Sequence, residues 1–379
     1  MSLVNALRFS KLEGAMISDE EYWMHGRRRT FFQNNLHSLL TPELADTNNM
    51  EILYGGTGDP YLHCAIINKV KKEIPAILSK NTVLKGKDSP VYEASKEILK
   101  IAQEASKIRI DQKLKLFFGF GIDDFNRGFY KKNGKTYKIN QECIRQKAFN
   151  LISWENKDSS VKSIFESRGL ILGYDRQEGV QLFYLNLENQ VLSFNSGDYD
   201  TIGAGIYGAG HVFANYMRRK TMSKRLAGFP TIEGLVTLIE SALVAAQTYK
   251  DVGGYFNILY LNSNGNDHKA RIKNIYEERA KLTTEIVAAK MRGFINTDVC
   301  HELVDSLVFQ NASVNEIDQL FFKKASRQND LELYLRGYKI DLPYEFMPQN
   351  QEIKSKISIE KENISAKSSK KEEMKGGAA

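Results

Sequence analysis

The chain opens on two short apolar runs. Leu3 to Phe9 is mostly apolar, a turn follows around Lys11, and Gly14 to Ile17 is apolar again up to Asp19; the pattern predicts two strands. A third strand, Met50 to Tyr54, runs into Gly55-Gly56-Thr57-Gly58-Asp59-Pro60. Asp59 there suits a helix cap and Pro60 a first turn. The helix predicted over 60–79 carries Leu62, Ile66, Ile67 and Val70 at helical spacing, and a second, over about 90–106, carries Val91, Ile98, Leu99 and Ile101. Residues 113–140 read as strand, with the hairpin signal Lys132-Asn133-Gly134-Lys135, and a polar stretch with helical patches continues to about 167.

A strand pair follows, Leu170 to Asp175 and Val180 to Leu187, turning at Glu178-Gly179. Another apolar run, Val191 to Phe194, leads to Ile202-Gly203-Ala204-Gly205. Helices over about 208–220 and 231–249 and a strand at Phe256 to Leu261 complete the series. Residues 266–340 read as almost wholly helical, and from about 347 the Lys/Glu/Ser-rich tail has little to bury and is expected to be disordered. Strands, two helices, strands, two helices and a strand make a layered α/β pattern with segregated helix pairs. A doubly wound parallel sheet would alternate regularly.

Composition narrows the function classes. No apolar run approaches the roughly 20 residues that cross a bilayer, and Arg8, Lys11 and Glu13 interrupt any signal-peptide core, so a cytoplasmic location without membrane contact is expected. Cys64, Cys143 and Cys300 are odd in number and far apart, which speaks against a disulfide framework or zinc site; Cys64, in an apolar stretch, reads as a core residue. The net charge of +7 is read as lysines spread along the chain, apart from Arg27-Arg28-Arg29, and no nucleic-acid partner is expected. Gly203-x-Gly205 and Gly208-x-Gly210 lack the Lys-Ser/Thr of a phosphate loop, and no cofactor is expected. His211 reads as a helix-surface or satisfied core residue.

Five segments, in order, carry a resemblance. Ile202-Gly-Ala-Gly-Ile-Tyr-Gly-Ala-Gly-His-Val resembles the Gly-Ser-Gly loop and following helix of proteasome β subunits. Leu243 to Leu261 resembles their next helix and strand, and Leu170 to Asp175 the strand before both. Tyr54-Gly-Gly-Thr-Gly-Asp is similar to their Ala-Gly-Gly-Ala-Ala-Asp turn. Ser2 to Phe9 and Gly14 to Asp19 look like their first two strands, with Ser2 where the mature subunits begin with threonine. The likeness covers about 2–106 and 168–262. It implies a four-layer αββα sandwich of the N-terminal-nucleophile type over 2–262, with an insertion at 107–167, a helical extension at 266–345 and a tail at 346–379.

The resemblance also implies chemistry. Removal of Met1 leaves Ser2 with its own α-amine, a base with a reference pKa of about 7.7–8.0, beside its hydroxyl. Asp19 takes the place of the aspartate that orients the active-site cation, and Gly55 that of the glycine whose N–H completes the oxyanion hole. The family lysine has no clear counterpart; Arg28 or Arg29 is the candidate for its positive charge, and an arginine acts only electrostatically. Two family serines fall on Ala204 and Val252, and the aspartate of that network falls near Tyr249, with Asp251 as its substitute. The expected activity is a peptide or amide hydrolase working through an acyl-enzyme on Ser2, with a peptide or protein substrate and a homo-oligomer or ring as assembly. The connectases, which resemble proteasome β subunits and join peptides, supply a transpeptidase alternative; an inactive structural or binding subunit is another.

Overall fold

A computed structural model describes residues 2–19, 21–24, 27–30, 35–79, 88–152, 167–187, 191–194, 197–249, 252–253 and 256–340. The chain divides into two units, Met1–Leu331 and Glu332–Ala379. In chain order the first holds β1 (Leu3–Arg8), β2 (Glu13–Asp19), the ribbon β3 (Glu21–Met24) and β4 (Arg27–Thr30), β5 (Leu36–Ser38), α1 (Pro42–Asn48), β6 (Glu51–Thr57) and α2 (Pro60–Ser79). The long helix α3 (Pro90–Phe118), α4 (Ile122–Arg127), the hairpin β7 (Phe129–Lys132) and β8 (Lys135–Lys138) and α5 (Glu142–Ile152) form the insertion.

Then come β9 (Arg168–Asp175), β10 (Gly179–Asn186), β11 (Val191–Phe194) and β12 (Tyr199–Gly203), followed by α6 (Ile206–Arg218), α7 (Met222–Ala227) and α8 (Thr231–Thr248). β13 (Phe256–Asn262), α9 (His268–Arg271), β14 (Ile272–Ile275), α10 (Glu277–Met291), α11 (Thr297–Val308), α12 (Val314–Lys324) and α13 (Gln328–Ile340) close the series. Residues 332–340 of α13 are the described part of the second unit. The tail expected to be disordered lies outside the described residues. Among the described residues no helix is long and apolar enough to cross a membrane.

Two antiparallel five-stranded sheets organise the chain, in the orders β12-β1-β2-β13-β14 and β11-β10-β9-β6-β5. One apolar cluster draws on both: Val4, Met16, Ile202 and Leu261 from the first sheet, Leu53, Leu172 and Leu182 from the second. A second cluster joins the other face of β6, β9 and β10 to α2 and α3 through Ile52, Ile66, Val70, Ile98 and Phe183. On the first sheet α8 lies against β1 and β2, with α10 and α11 beside it.

Several elements differ from expectation. Of the stretch 113–140 read as strand, residues 113–118 belong to α3 and 122–127 form α4; Lys113-Leu114-Lys115-Leu116 alternates like a strand, but only Leu114 is buried, and Gly119, at φ +78°, ends α3. The short strands β5, β12 and β14 carry no pattern of their own; β14 pairs with β13, so the stretch after 266 begins inside the first sheet. Cys64 is exposed on α2, since the buried stripe runs through Leu62, His63, Ile66 and Ile67 and skips it. His211 is on the surface, as one of its two readings has it.

A polar knot fastens one end of the sheets. Arg271, 1% exposed, donates from Nε to Glu51 Oε1 at 2.8 Å and pairs with Asp46 at 2.7 Å, while His268 Nδ1 lies 2.9 Å from the other Glu51 oxygen. Burial pushes the Glu51 carboxyl up, and the Arg271 and His268 contacts oppose that shift. Glu51 is in β6 and Arg271 follows β13, so the knot joins the two sheets. Arg271→Met is expected to cost about 3–5 kcal/mol, because it leaves a buried carboxylate without its cation. The readout is a lowered urea midpoint at unchanged m-value.

Candidate active site

Ser2 is held from both sides. Its carbonyl accepts the Ala204 N–H at 3.1 Å, continuing the β1–β12 ladder one rung past Leu3 and Gly203. A Cβ at Gly203 would lie 1.9 Å from that carbonyl, and the backbone there has φ +91°, so glycine is required. On the other side the Leu3 N–H donates 2.7 Å to Asp19 Oδ1. The Asp19 main-chain carbonyl accepts instead from Asn35 Nδ2 at 3.0 Å, and its second carboxyl oxygen from the Gly253 N–H at 3.4 Å. The carboxyl therefore occupies a place in the ladder that a main-chain carbonyl would normally fill.

Strand alternation decides which groups share a face. Val4 stands opposite Ser18, and both lie between the sheets, as Val4's membership of the shared apolar cluster requires. Asn5 points the other way, donating from Nδ2 to Ser241 Oγ of α8 at 2.8 Å. Alternation carries Ser2 to the side of Val4 and Ser18, and Asp19 to the side of Leu3 and Asn5. The aspartate expected to orient a cation beside Ser2 thus reaches the β1 backbone from the opposite face.

Gly55 lies on the inter-sheet side of β6, where a Cβ would meet Val4 at 2.6 Å and Met16 at 3.0 Å. Its N–H does not face the site. Ile52 and Gly56 are hydrogen-bonded to the β5 side, at Leu39 and Asn35, so the alternating Gly55 amide is turned to β9, opposite Leu170. The residue's visible role is to let the sheets close.

Thr57, two residues on, returns to the inter-sheet side and abuts Gly203, whose Cβ would meet its methyl at 2.9 Å. Thr57 Oγ1 and Ser18 Oγ are both buried with no hydrogen-bond partner among the described residues. Neither stands out in the sequence. Thr57 is fixed by a buried relay. Tyr54 Oη lies 2.6 Å from His63 Nδ1, and His63 Nε2 lies 2.8 Å from the Thr57 carbonyl. A carbonyl only accepts, so Nε2 carries the proton and the tyrosine donates to Nδ1. Burial pushes the His63 imidazole down to about 4, so it stays neutral at physiological pH. A Cβ at Gly56 would sit 2.2 Å from that ring.

Of the remaining expected residues, Arg28 sits on β4 opposite Trp23, and its side chain lies outside the described residues. Asp251 also lies outside them; its neighbour Gly253 reaches Asp19. Among the described residues no group of three or more His, Cys, Asp or Glu is placed to hold a metal ion.

Asp19 is fully buried, and that burial pushes its carboxyl up to about 8 despite the two N–H donors. The unfolded chain releases this proton near the ordinary value of about 3.9. Between these values the folded state binds the extra proton, so stability falls as pH rises from about 4 to about 8 and levels off above. Asp19→Asn is expected to flatten that stretch of the profile, measured by urea unfolding at a series of pH values. An unchanged slope in the variant would assign the dependence to other groups.

No protein-family model matches the chain, and no curated protein matches it. Among solved structures it is similar to Anbu (ancestral beta-subunit) from Yersinia bercovieri, at 12% identity and a TM-score of 0.47, over 77% of this chain and 94% of that one.

Proposed function

We propose that the chain is an N-terminal-nucleophile amide hydrolase on a four-layer αββα sandwich, with Ser2 as the nucleophile. What supports this reading is that Ser18 and Thr57, and by alternation Ser2, lie on the inter-sheet side of the two sheets, the first two with buried oxygens that have no partner among the described residues. Buried hydroxyls without a protein partner cost stability unless a ligand or an ordered water takes them up, and these two sit where a substrate carbonyl attacked by Ser2 would lie.

After Met1 is removed, the Ser2 α-amine takes the Oγ proton, directly or through one water. Oγ attacks the substrate carbonyl carbon, forming a C–O bond and placing charge on the carbonyl oxygen. Thr57 Oγ1–H is the donor assigned to that oxygen, in place of the Gly55 amide. Collapse breaks the C–N bond, the ammonium returns its proton to the departing amine, and an ester on Ser2 remains. Water, activated by the same amine, hydrolyses the ester. Asp19 serves by holding the Leu3 amide and, with it, the strand on which Ser2 rides. The substrate is a peptide or other amide.

Intact-mass measurement is expected to show loss of Met1; a chain that retains it rules this chemistry out. An electrophilic acyl probe is expected to label the wild type and spare Ser2→Ala. Thr57→Val, which keeps the shape and removes the hydroxyl, is expected to slow acylation by about 10²–10³-fold. Equal rates would remove Thr57 from the oxyanion site.

A further inference from the structure

The chain's net charge is concentrated in one segment. Residues 107–152 hold eleven Lys and Arg against four Asp and Glu, which accounts for the whole net +7, the remaining chain being balanced. Of the seven helix-borne cations in this segment four are answered, and Lys107, Arg145 and Lys147 make no ion pair among the described residues. Arg109 and Lys113 both face Asp59, Lys115 pairs with Asp111, and Arg127 pairs with Asp124. The hairpin is different. Lys131, Lys132, Lys135 and Lys138 are all exposed, and among the described residues none of the four makes an ion pair.

The pairing register makes this costly. Lys132 stands directly opposite Lys135 across the Asn133-Gly134 turn, and like charges at directly opposed positions destabilise a strand pair. A hairpin of four residues a strand, with no acid in either strand, has nothing of its own to offset that repulsion. An anion lying along it would.

The rings indicate which anion. Tyr130 and Tyr137 face each other across the ribbon, centroids 5.4 Å apart and stacked at 21°, and Tyr130 is backed by Phe120 at 5.8 Å. Tyr137 is 42% exposed, so a braced aromatic platform is open on the ribbon face that carries Lys132 and Lys135, while Lys131 and Lys138 stand on the other face with Phe129. Across the ribbon Phe129 is covered by Arg127, 5.9 Å from its centroid. The two strands contain no aliphatic residue to enter a lipid layer. A stacking platform beside cations suits a nucleic acid, whose every base has a face to stack and whose every unit carries a phosphate.

We propose that the β7–β8 ribbon is a docking surface for single-stranded nucleic acid. Phosphates lie along Lys132 and Lys135, which share a face with Tyr137, where a base stacks; Lys131 and Lys138, on the other face, add charge from the ribbon's edges. This reverses the sequence-based expectation of evenly spread lysines and no nucleic-acid partner. It is independent of the chemistry assigned to Ser2.

The test is fluorescence anisotropy of the full chain with a labelled 20-nucleotide oligo-dT and oligo-U, titrated from 50 to 300 mM KCl. Binding is expected, weakening linearly in log–log form with salt. Replacing the four lysines with glutamine should weaken it at least tenfold and reduce the slope by about 3, near 0.7 for each phosphate no longer neutralised. Replacing them with arginine should retain it. Tyr137→Ala should weaken binding roughly fivefold or more with the slope unchanged. No binding at 50 mM KCl overturns the proposal, as does polyglutamate or a phosphatidylserine vesicle competing as well as unlabelled oligonucleotide. Circular dichroism confirms that the variants, all at exposed positions, remain folded.

Discussion

The packing of one sheet face on another is the constraint from which the rest follows. Stacked sheets sit about 10 Å apart, and their inner side chains must interdigitate. Val4, Met16, Leu53 and Leu172 do so here, and Gly55 supplies the gap that Val4 and Met16 fill. Because β1 lies inside its sheet, between β12 and β2, its first residues inherit that rigidity. Ser2 is therefore placed by neighbours on both sides and by apolar packing below, without needing its own side chain for anchorage. A reactive group is best held by such a scaffold, since a displacement of about 1 Å is enough to lose much of its rate.

The polar groups divide according to that layering. On the outer side of the first sheet, Asn5 meets Ser241 and Asp19 takes the Leu3 amide. At the far edge, Glu51 and Arg271 tie β6 to the segment after β13. Between the sheets, Ser18 and Thr57 present hydroxyls, and Arg168, directly opposite Thr57 across the β6–β9 pair, puts a cation on the same side. A hydroxyl can be buried at a cost of a few kcal/mol, far below that of an unpaired charge. A site of this composition polarises a carbonyl by directed donors and leaves proton transfer to the chain's own amine.

How much of this the sequence discloses depends on the signal each element carries. The helix over 60–79 and the strand pair of 170–187 are legible because long apolar periodicity leaves little choice. The hairpin is legible through Asn133-Gly134. β5, β12 and β14 span three to five residues each, too few for a period to register, and they owe their existence to the strands they pair with. Asp19 shows a subtler limit. A carboxylate near the end of the second strand is visible, but its face depends on register, and a shift of one residue exchanges the two sides of a sheet. Ser18 stands where Asp19 is expected, and no periodicity can distinguish them. The Thr57 hydroxyl is hidden for another reason: its importance lies in lacking a partner among the described residues, which only three dimensions reveal.

Gly56 and His63 bear on how substitutions in this corner combine. The imidazole fills the space that a side chain at 56 would need, and it spends both nitrogens on Tyr54 and Thr57. Enlarging residue 56 displaces the ring, and shrinking residue 63 strands a buried phenol and a carbonyl. Effects at contacting sites of this kind do not add. Tyr54, Gly56 and His63 thus form an epistatic unit, in which a change at one is felt at the other two, and what the unit holds in place is the main chain at Thr57.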